Sequence, residues 1–307
     1  MIEELRKQIN EYFVGKEEVV EDVLTCLLAG GHVLLEDVPG VGKTTLAKVL
    51  AKSVDLSFGR IQFTPDTLPG DVVGVCVYNM KTSEFEYKEG AIMHQIILAD
   101  EINRTSPKTQ SALLEAMAEE SVTVDGKKYD LPNPFMVIAT QNPVEFIGTF
   151  PLPEASVDRF MMRLSVGYPN EEEEIRLAKN ILGGKDFDTI RCVCTADDLK
   201  KMREDVAKIT ISDKVIAYVR EIINYTRNEQ RFVIGASPRA FLSLIRASQA
   251  RAFLQGRDFV KPDDVKAVAV NVLHHRLSLT PDAKIKKEKT DSVIKELVLK
   301  AKVPMEK

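Results

Sequence analysis

Apolar positions follow two rhythms along this chain, and the change between them falls near Tyr168 to Asn170. In the first half, short apolar runs of strand length recur: "GHVLLEDV", "GRIQFT", "QIILADEI" and "PFMVIATQN". "QIILADEI" is apolar almost throughout, which suits a strand buried on both faces. Between the runs lie stretches with helical spacing, such as "TTLAKVLAKSV" and "SPKTQSALLEAMAEE". In the second of these, Ser106 is the expected N-cap, with Pro107 at the first helical position. Residues 1 to 29 read as two helices split at Gly15 within "FVGKE". Strands alternating with helices predict a parallel, doubly wound α/β sheet.

Two segments interrupt that alternation. Residues 64–90 carry turn residues and short alternating stretches, the pattern of a helix-hairpin insertion. Residues 121–131, "SVTVDGKKYDL", place Asp125-Gly126 between alternating strands, a strong two-residue hairpin signal. After "SVGYPN" the periodicity becomes helical, with helices expected at 171–182, 197–208, 213–228, 238–255, 262–275 and 290–301 and no strand. The expected domains are therefore an α/β core, 1–169, and an all-helical domain, 170–307.

Composition narrows the class. Of 307 residues, 44% are hydrophobic and 29% charged, ordinary for a water-soluble globular protein. No apolar run reaches the length of a membrane-spanning helix, and "MIEELRKQINEYF" lacks the apolar core of a signal peptide. A cytoplasmic protein without a membrane span is expected. A net charge of −4 provides no basic field for nucleic acid, so none is expected as a partner. Cys26, Cys76, Cys192 and Cys194 lack zinc-type spacing and read as reduced thiols, and the four histidines have no ligand spacing with acidic residues.

Candidate chemistry begins at "LLEDVPGVGKTTLAK". A phosphate-binding loop reads G-x-x-x-x-G-K-[ST], and here Asp37 stands where the first Gly belongs. The context is otherwise right, since the loop leaves an apolar strand and opens a helix. Amides of Gly40, Val41, Gly42 and Lys43 can converge on phosphate oxygens. Lys43 would reach the β- and γ-phosphates, and the Thr44 hydroxyl would ligate Mg²⁺. Asp37 reads as a turn variant with its carboxylate facing away from the phosphates. On that reading Asp37→Gly leaves ATP binding largely intact.

"IILADEINR" then places Asp100 and Glu101 at the C-terminal end of a buried strand, where open α/β sheets bind ligands. Asp100 can hold Mg²⁺ and Glu101 can polarise an attacking water. "VIATQNP" ends a further strand in Asn142, whose amide can both donate to and accept from a water or the γ-phosphate. Arg159 and Arg239 lie outside the sheet core. Arg239 falls in the first turn of a helix begun by Ser237 and Pro238, where a cation opposes the helix dipole and calls for an anionic partner. Arg104 and Arg163 read as surface ion-pair residues.

"DVPGVGKTTLAK", "LADEINRTSPKTQSALLEAM", "VIATQNPVEFIGTFPLPEASVDRFMMR" and "GASPRA" together resemble the MoxR family of AAA+ ATPases, over roughly residues 10 to 275. The resemblance implies a P-loop NTPase (AAA+) parallel-sheet domain followed by an all-α lid, with ATP and Mg²⁺ bound. Lys43 and Thr44 match Walker A, within a nucleotide contact set that includes Pro39, Gly40, Val41, Gly42 and Thr45. Asp100 and Glu101 match Walker B, Asn142 matches sensor 1, Arg159 the arginine finger and Arg239 sensor 2. Val14 and Gly15 sit where such proteins contact adenine. The 64–90 insertion is similar to the helix-2 insert of this clade, and 121–131 to its pre-sensor-1 hairpin.

The family further implies a homo-oligomeric ring, commonly a hexamer. It also implies a client protein that is remodelled or activated, and often a partner with a von Willebrand factor A domain. Three other readings share this core: a nucleic-acid motor of the helicase or clamp-loader type, a magnesium-chelatase-like ATPase subunit, and a nucleotide switch that barely hydrolyses.

Overall fold

The computed structural model describes residues 1–38, 40–142, 148–183 and 187–304. The first elements are helices α1 (Ile2–Tyr12) and α2 (Glu17–Leu28), strand β1 (Val33–Glu36), helix α3 (Lys43–Ser53) and strand β2 (Phe58–Gln62). The insertion follows as α4 (Pro69–Val73), β3 (Gly74–Asn79) and β4 (Glu84–Glu89). Next come β5 (Ile96–Asp100), α5 (Pro107–Glu119), β6 (Ser121–Val124), β7 (Lys127–Asp130), β8 (Met136–Gln141), α6 (Glu154–Val157) and β9 (Met162–Leu164). The remainder is α7 (Glu171–Leu182), α8 (Ala196–Lys208), α9 (Asp213–Asn228), β10 (Phe232–Ile234), α10 (Pro238–Leu254), α11 (Pro262–Leu273), β11 (Ser278–Leu279), α12 (Pro281–Ile285) and α13 (Thr290–Lys300).

Among the described residues the main sheet has five strands in the order β2-β5-β8-β1-β9. The pairs β2–β5, β5–β8 and β1–β8 are parallel. Ile96, Ile97, Leu98 and Ala99 of β5 are fully buried, as are Met136, Val137, Ile138 and Ala139 of β8. Burial on both faces explains why these strands read as continuous apolar runs. Register brings the carboxyl ends level, with Glu36 opposite Gln141 and Gln62 opposite Asp100. The segments leaving β1, β5 and β8 therefore open on one edge of the sheet, the edge at which such folds bind ligands.

Local signals hold where they were strongest. The Ser106 side chain accepts from Thr109 N at 3.3 Å and caps α5, with Pro107 at its first position. Asp125 and Gly126 have φ of 48° and 76°, the left-handed pair that a tight β6–β7 turn requires. The insertion is a helix followed by a hairpin, as its turn residues predict. One expectation fails, since β10 and β11 pair antiparallel in a region read as strand-free. Runs of three and two residues are too short to show alternation, and no local turn joins them.

By contact the chain divides into two compact units. The first holds Met1–Glu21, His32–Arg159 and Leu164–Lys200; the second holds Asp22–Gly31, Phe160–Arg163 and Lys201–Lys307. Residues 171–200 thus group with the first unit, whereas their helical periodicity suggested a domain beginning at 170. Main-chain and side-chain bonds account for the difference: Val193 N donates to Ser53 O at 2.8 Å, Lys52 Nζ to Asp188 Oδ1 at 2.9 Å, and Gln8 Nε2 to Arg191 O at 2.7 Å. In the second unit, the buried Arg276 guanidinium donates to Phe160 O at 2.7 Å and Met161 O at 3.1 Å, which keeps that short segment with the helices. Among the described residues, no helix is long and apolar enough to cross a membrane.

Candidate functional site

The loop after β1 enters α3 through Gly40 and Gly42, at φ of 89° and 84°. A side chain at Gly42 would be strained by that backbone and would also meet the Phe13 ring at 3.3 Å. Gly42 caps α3 with no side-chain hydrogen bond, and the first turn of the helix holds no acidic residue. Its leading amides and the positive end of its dipole are thus left to an anion.

Lys43 heads this helix half-buried, its Nζ donating to the Asp37 carbonyl at 3.0 Å. Burial pushes the Lys43 ammonium below its usual pKa, while the nearby carboxylates of Asp37, Asp100 and Glu101 pull the other way. A cation at a helix N-terminus is electrostatically misplaced unless negative charge arrives beside it.

At the end of β5, Asp100 Oδ2 pairs with Arg60 Nη2 at 2.6 Å and Oδ1 accepts from Thr140 Oγ1 at 2.7 Å. Glu101 follows with a left-handed backbone, φ 57° and ψ 49°, unusual for a non-glycine residue. The same Thr140 Oγ1 accepts from Glu101 N at 2.8 Å, so one fully buried hydroxyl pins both acidic residues. Glu101 Oε2 accepts from Gln62 Nε2 at 2.9 Å and Arg104 Nη1 at 3.0 Å.

Replacing Thr140 by Val keeps the shape but leaves the Glu101 amide without its acceptor. Thr140→Val is expected to lower unfolding stability by about 1–3 kcal/mol, read from urea melts. A stability equal to the unaltered chain's would show that Thr140 does not hold the two acidic residues.

Lys43, Thr44, Asp100, Glu101 and Asn142 line one cavity of about 420 Å³, together with Gly40, Gly42, Arg60 and Gln62. A second cavity of about 170 Å³ adjoins it at Gly40 and Gly42 and holds Val14, Gly15, Val41 and Thr45. Its other walls are Tyr12, Phe13, Lys16, the segment Val166–Pro169, Glu173 and Leu177. Gly15 is needed there because a Cβ would stand 2.6 Å from the Phe13 ring.

Among the described residues, Arg159 and Arg239 are not part of the lining of either cavity. Arg159 lines a separate cavity with Glu115, Lys128 and Ser156, and its Nε is buried with no hydrogen-bond partner among the described residues. Arg239 is exposed in the first turn of α10, in the second unit, where the Ser237 side chain accepts from Ala240 N at 3.1 Å. Pro39 lies outside the described residues.

Sequence reasoning missed Arg60, Gln62 and Thr140; Arg104, read as a surface ion-pair residue, does form an ion pair, and its partner is Glu101 of the site. Alternation in "FGRIQ" puts Arg60 and Gln62 on one face of β2. Only the sheet order, however, places that face beside Asp100. Arg163 has a different engagement, donating from Nε to His274 Nε2 at 2.8 Å within the second unit.

The residues present fit a Mg²⁺-nucleotide. The same larger cavity is lined by the anion-seeking Gly40–Lys43 loop and by Thr44 and Asp100, a hydroxyl and a carboxylate suited to Mg²⁺. Among the described residues no cluster of three or more His, Cys, Asp or Glu could hold a metal alone. A Mg²⁺ held by one carboxylate, one hydroxyl, phosphates and water needs no such cluster.

Comparison with known proteins identifies the lineage. The ATPase family associated with various cellular activities (AAA) matches residues 32–162, and the AAA lid domain matches residues 224–297. YeaC of Bacillus subtilis is 48% identical over 98% of this chain and 94% of its own length. Chaperone MoxR1 of Mycobacterium tuberculosis is 41% identical over 90% of this chain and 75% of its own. Protein MoxR of Methylorubrum extorquens is 30% identical over 90% and 87%. A crystal structure of a candidate ATPase from Cytophaga hutchinsonii superposes with a TM-score of 0.92 at 39% identity, covering 99% of this chain and 95% of that one. Identity at this level along nearly the whole chain, with an AAA segment followed by a lid segment, makes the protein a member of the MoxR family of AAA+ ATPases.

Proposed function

We propose that the protein hydrolyses ATP and uses the cycle to remodel or activate a client protein, as a MoxR-type chaperone. One observation carries the reading: Lys43, Thr44, Asp100, Glu101 and Asn142, drawn from the ends of three parallel strands, line a single cavity. In it the amides of the Gly40–Lys43 loop and the Lys43 ammonium would bind the phosphates, and Thr44 and Asp100 would hold Mg²⁺. When bound, the metal would supply neutralisation of the charge that develops on the phosphates during transfer. Glu101 takes up the proton of the attacking water, and Asn142 orients that water through its amide.

The adjoining cavity suits the base. Phe13, Val14, Val41, Pro169 and Leu177 give it a largely apolar lining, with Lys16 and Glu173 as its charged members. The boundary expected between 169 and 170 is kept as a change of periodicity. Residues 171–200 are grouped by contact with the ATPase core, and the lid is formed by the helices that follow. From the lid, Arg239 would answer the γ-phosphate.

AAA+ ATPases commonly form rings, and in a homo-oligomeric ring of six subunits, the family pattern, Arg159 would act on a neighbour's ATP. Support comes from its placement, since it lines a cavity other than the phosphate cavity of its own core and, among the described residues, its buried Nε has no hydrogen-bond partner. Arg163 is engaged by His274 instead. The chaperone role rests on the name of the relative MoxR1, and a von Willebrand factor A domain protein is the proposed helper.

Mixing variants tests the assembly. Arg159→Ala and Glu101→Gln proteins should each be nearly inactive alone. Combined in equal amounts, about one quarter of subunit interfaces pair an intact Glu101 with an intact Arg159, and phosphate release should return accordingly. Mixtures no more active than their parts would place Arg159 outside a shared site.

A further inference from the structure

Asp37 is buried, 6% exposed, at the end of β1. Its main chain is tied on both sides: its amide donates to Gln141 O at 3.2 Å and its carbonyl accepts from Lys43 Nζ at 3.0 Å. Its carboxylate reaches a segment far along the chain. Oδ1 accepts from Ser165 Oγ at 2.9 Å and from Gly167 N at 3.0 Å, and Oδ2 accepts from Val166 N. Three donors converge on one acidic side chain, two of them main-chain amides.

Those amides belong to the wall of the smaller cavity, which Val166, Gly167, Tyr168 and Pro169 share with Val14 and Gly15. Gly167 has φ of 70°, so the segment turns there through a left-handed backbone. A carboxylate is the fitting partner because it is acceptor-only and can take several N–H and O–H bonds at once. With Gly at position 37, all three donors lose their acceptor, and a buried main-chain amide without one is costly. The wall would then have to shift until water or another group satisfied it.

We infer that Asp37 is a positioning residue for the base of the bound nucleotide: its carboxylate fixes the 165–167 segment as one wall of the base cavity, while its carbonyl holds the phosphate-binding lysine. The inference rests on the nucleotide reading of the site. It makes the aspartate a link between base and phosphate recognition, and it reverses the expectation that Asp37→Gly is harmless to ATP binding.

Base contacts and phosphate contacts separate in a binding experiment. Dissociation constants of the full chain for AMP-PNP with Mg²⁺ and for inorganic tripolyphosphate with Mg²⁺ would be measured by calorimetry for the unaltered chain, Asp37→Gly and Asp37→Asn. Asp37→Gly should weaken AMP-PNP about tenfold or more while tripolyphosphate changes by less than about threefold. Asp37→Asn, which keeps one carbonyl acceptor, should fall between.

Equal losses for both ligands, or no loss for either, would overturn the inference. Failure of the unaltered chain to bind AMP-PNP would sink the nucleotide reading instead. Should Asp37→Gly not fold, Ser165→Ala removes a single donor and leaves both amides bonded. It should cost AMP-PNP about two- to fivefold and tripolyphosphate nothing; an unchanged ratio of the two affinities overturns the proposal as well.

Discussion

Glu101→Gln is expected to bind ATP within about threefold of the unaltered chain and to turn it over about 10²–10⁴-fold more slowly. Glutamine has the size of glutamate, and its amide can still meet the two polar side chains that hold Glu101, Gln62 and Arg104. The left-handed backbone at Glu101 is fixed from the main chain, by the bond from its amide to Thr140, so the substitution leaves it in place. What disappears is the capacity to take a proton. Binding is measured with a fluorescent nucleotide and turnover by phosphate release at a protein concentration above assembly. Hydrolysis near the unaltered rate would remove Glu101 as the base, and loss of binding would show that the carboxylate has a structural duty the geometry does not reveal.

Much of the core was legible because its signals are local. The Ser106-Pro107 start of α5, the Asp125-Gly126 turn and the unbroken apolar run of β5 each depend on a few neighbouring residues. The long helices α9, α10 and α11 were equally readable, since 3.6-residue spacing accumulates over three or more turns. Short elements escaped. β9, β10 and β11 are too brief for any period to emerge, and their pairing is set by packing against distant segments.

The candidate site divides along the same line. Lys43, Thr44, Asp100, Glu101 and Asn142 sit in motifs whose spacing is fixed by one loop or one strand end. Arg60 and Gln62 matter because β2 lies beside β5, and sheet order is not written in either strand alone. Asp37 is the sharpest case. Its neighbours suggested only a turn, and the three groups that explain its charge come from Ser165, Val166 and Gly167. The "SVGYPN" stretch was read as a boundary between domains, yet it forms part of a cavity wall. A residue that breaks a local rule and is buried has a reason elsewhere in the fold.

Lys43→Ala should weaken ATP binding about 100-fold or more, with folding stability changed by less than about 1 kcal/mol. The ammonium stands half-buried at the start of α3, where the helix dipole opposes it and burial lowers its pKa. Neighbouring carboxylates and the Asp37 carbonyl offset part of that cost. Its removal therefore takes away both a penalty and a compensation, and the net effect on folding is small. Binding has no such balance, because the lysine supplies charge-assisted hydrogen bonds that the loop amides cannot replace. Calorimetric titration with ATP and a urea melt on the same preparation check the two halves. Unfolding at unchanged urea with abolished binding is the expected pair of results; undiminished affinity would show that the cavity holds something other than the phosphates of a nucleotide.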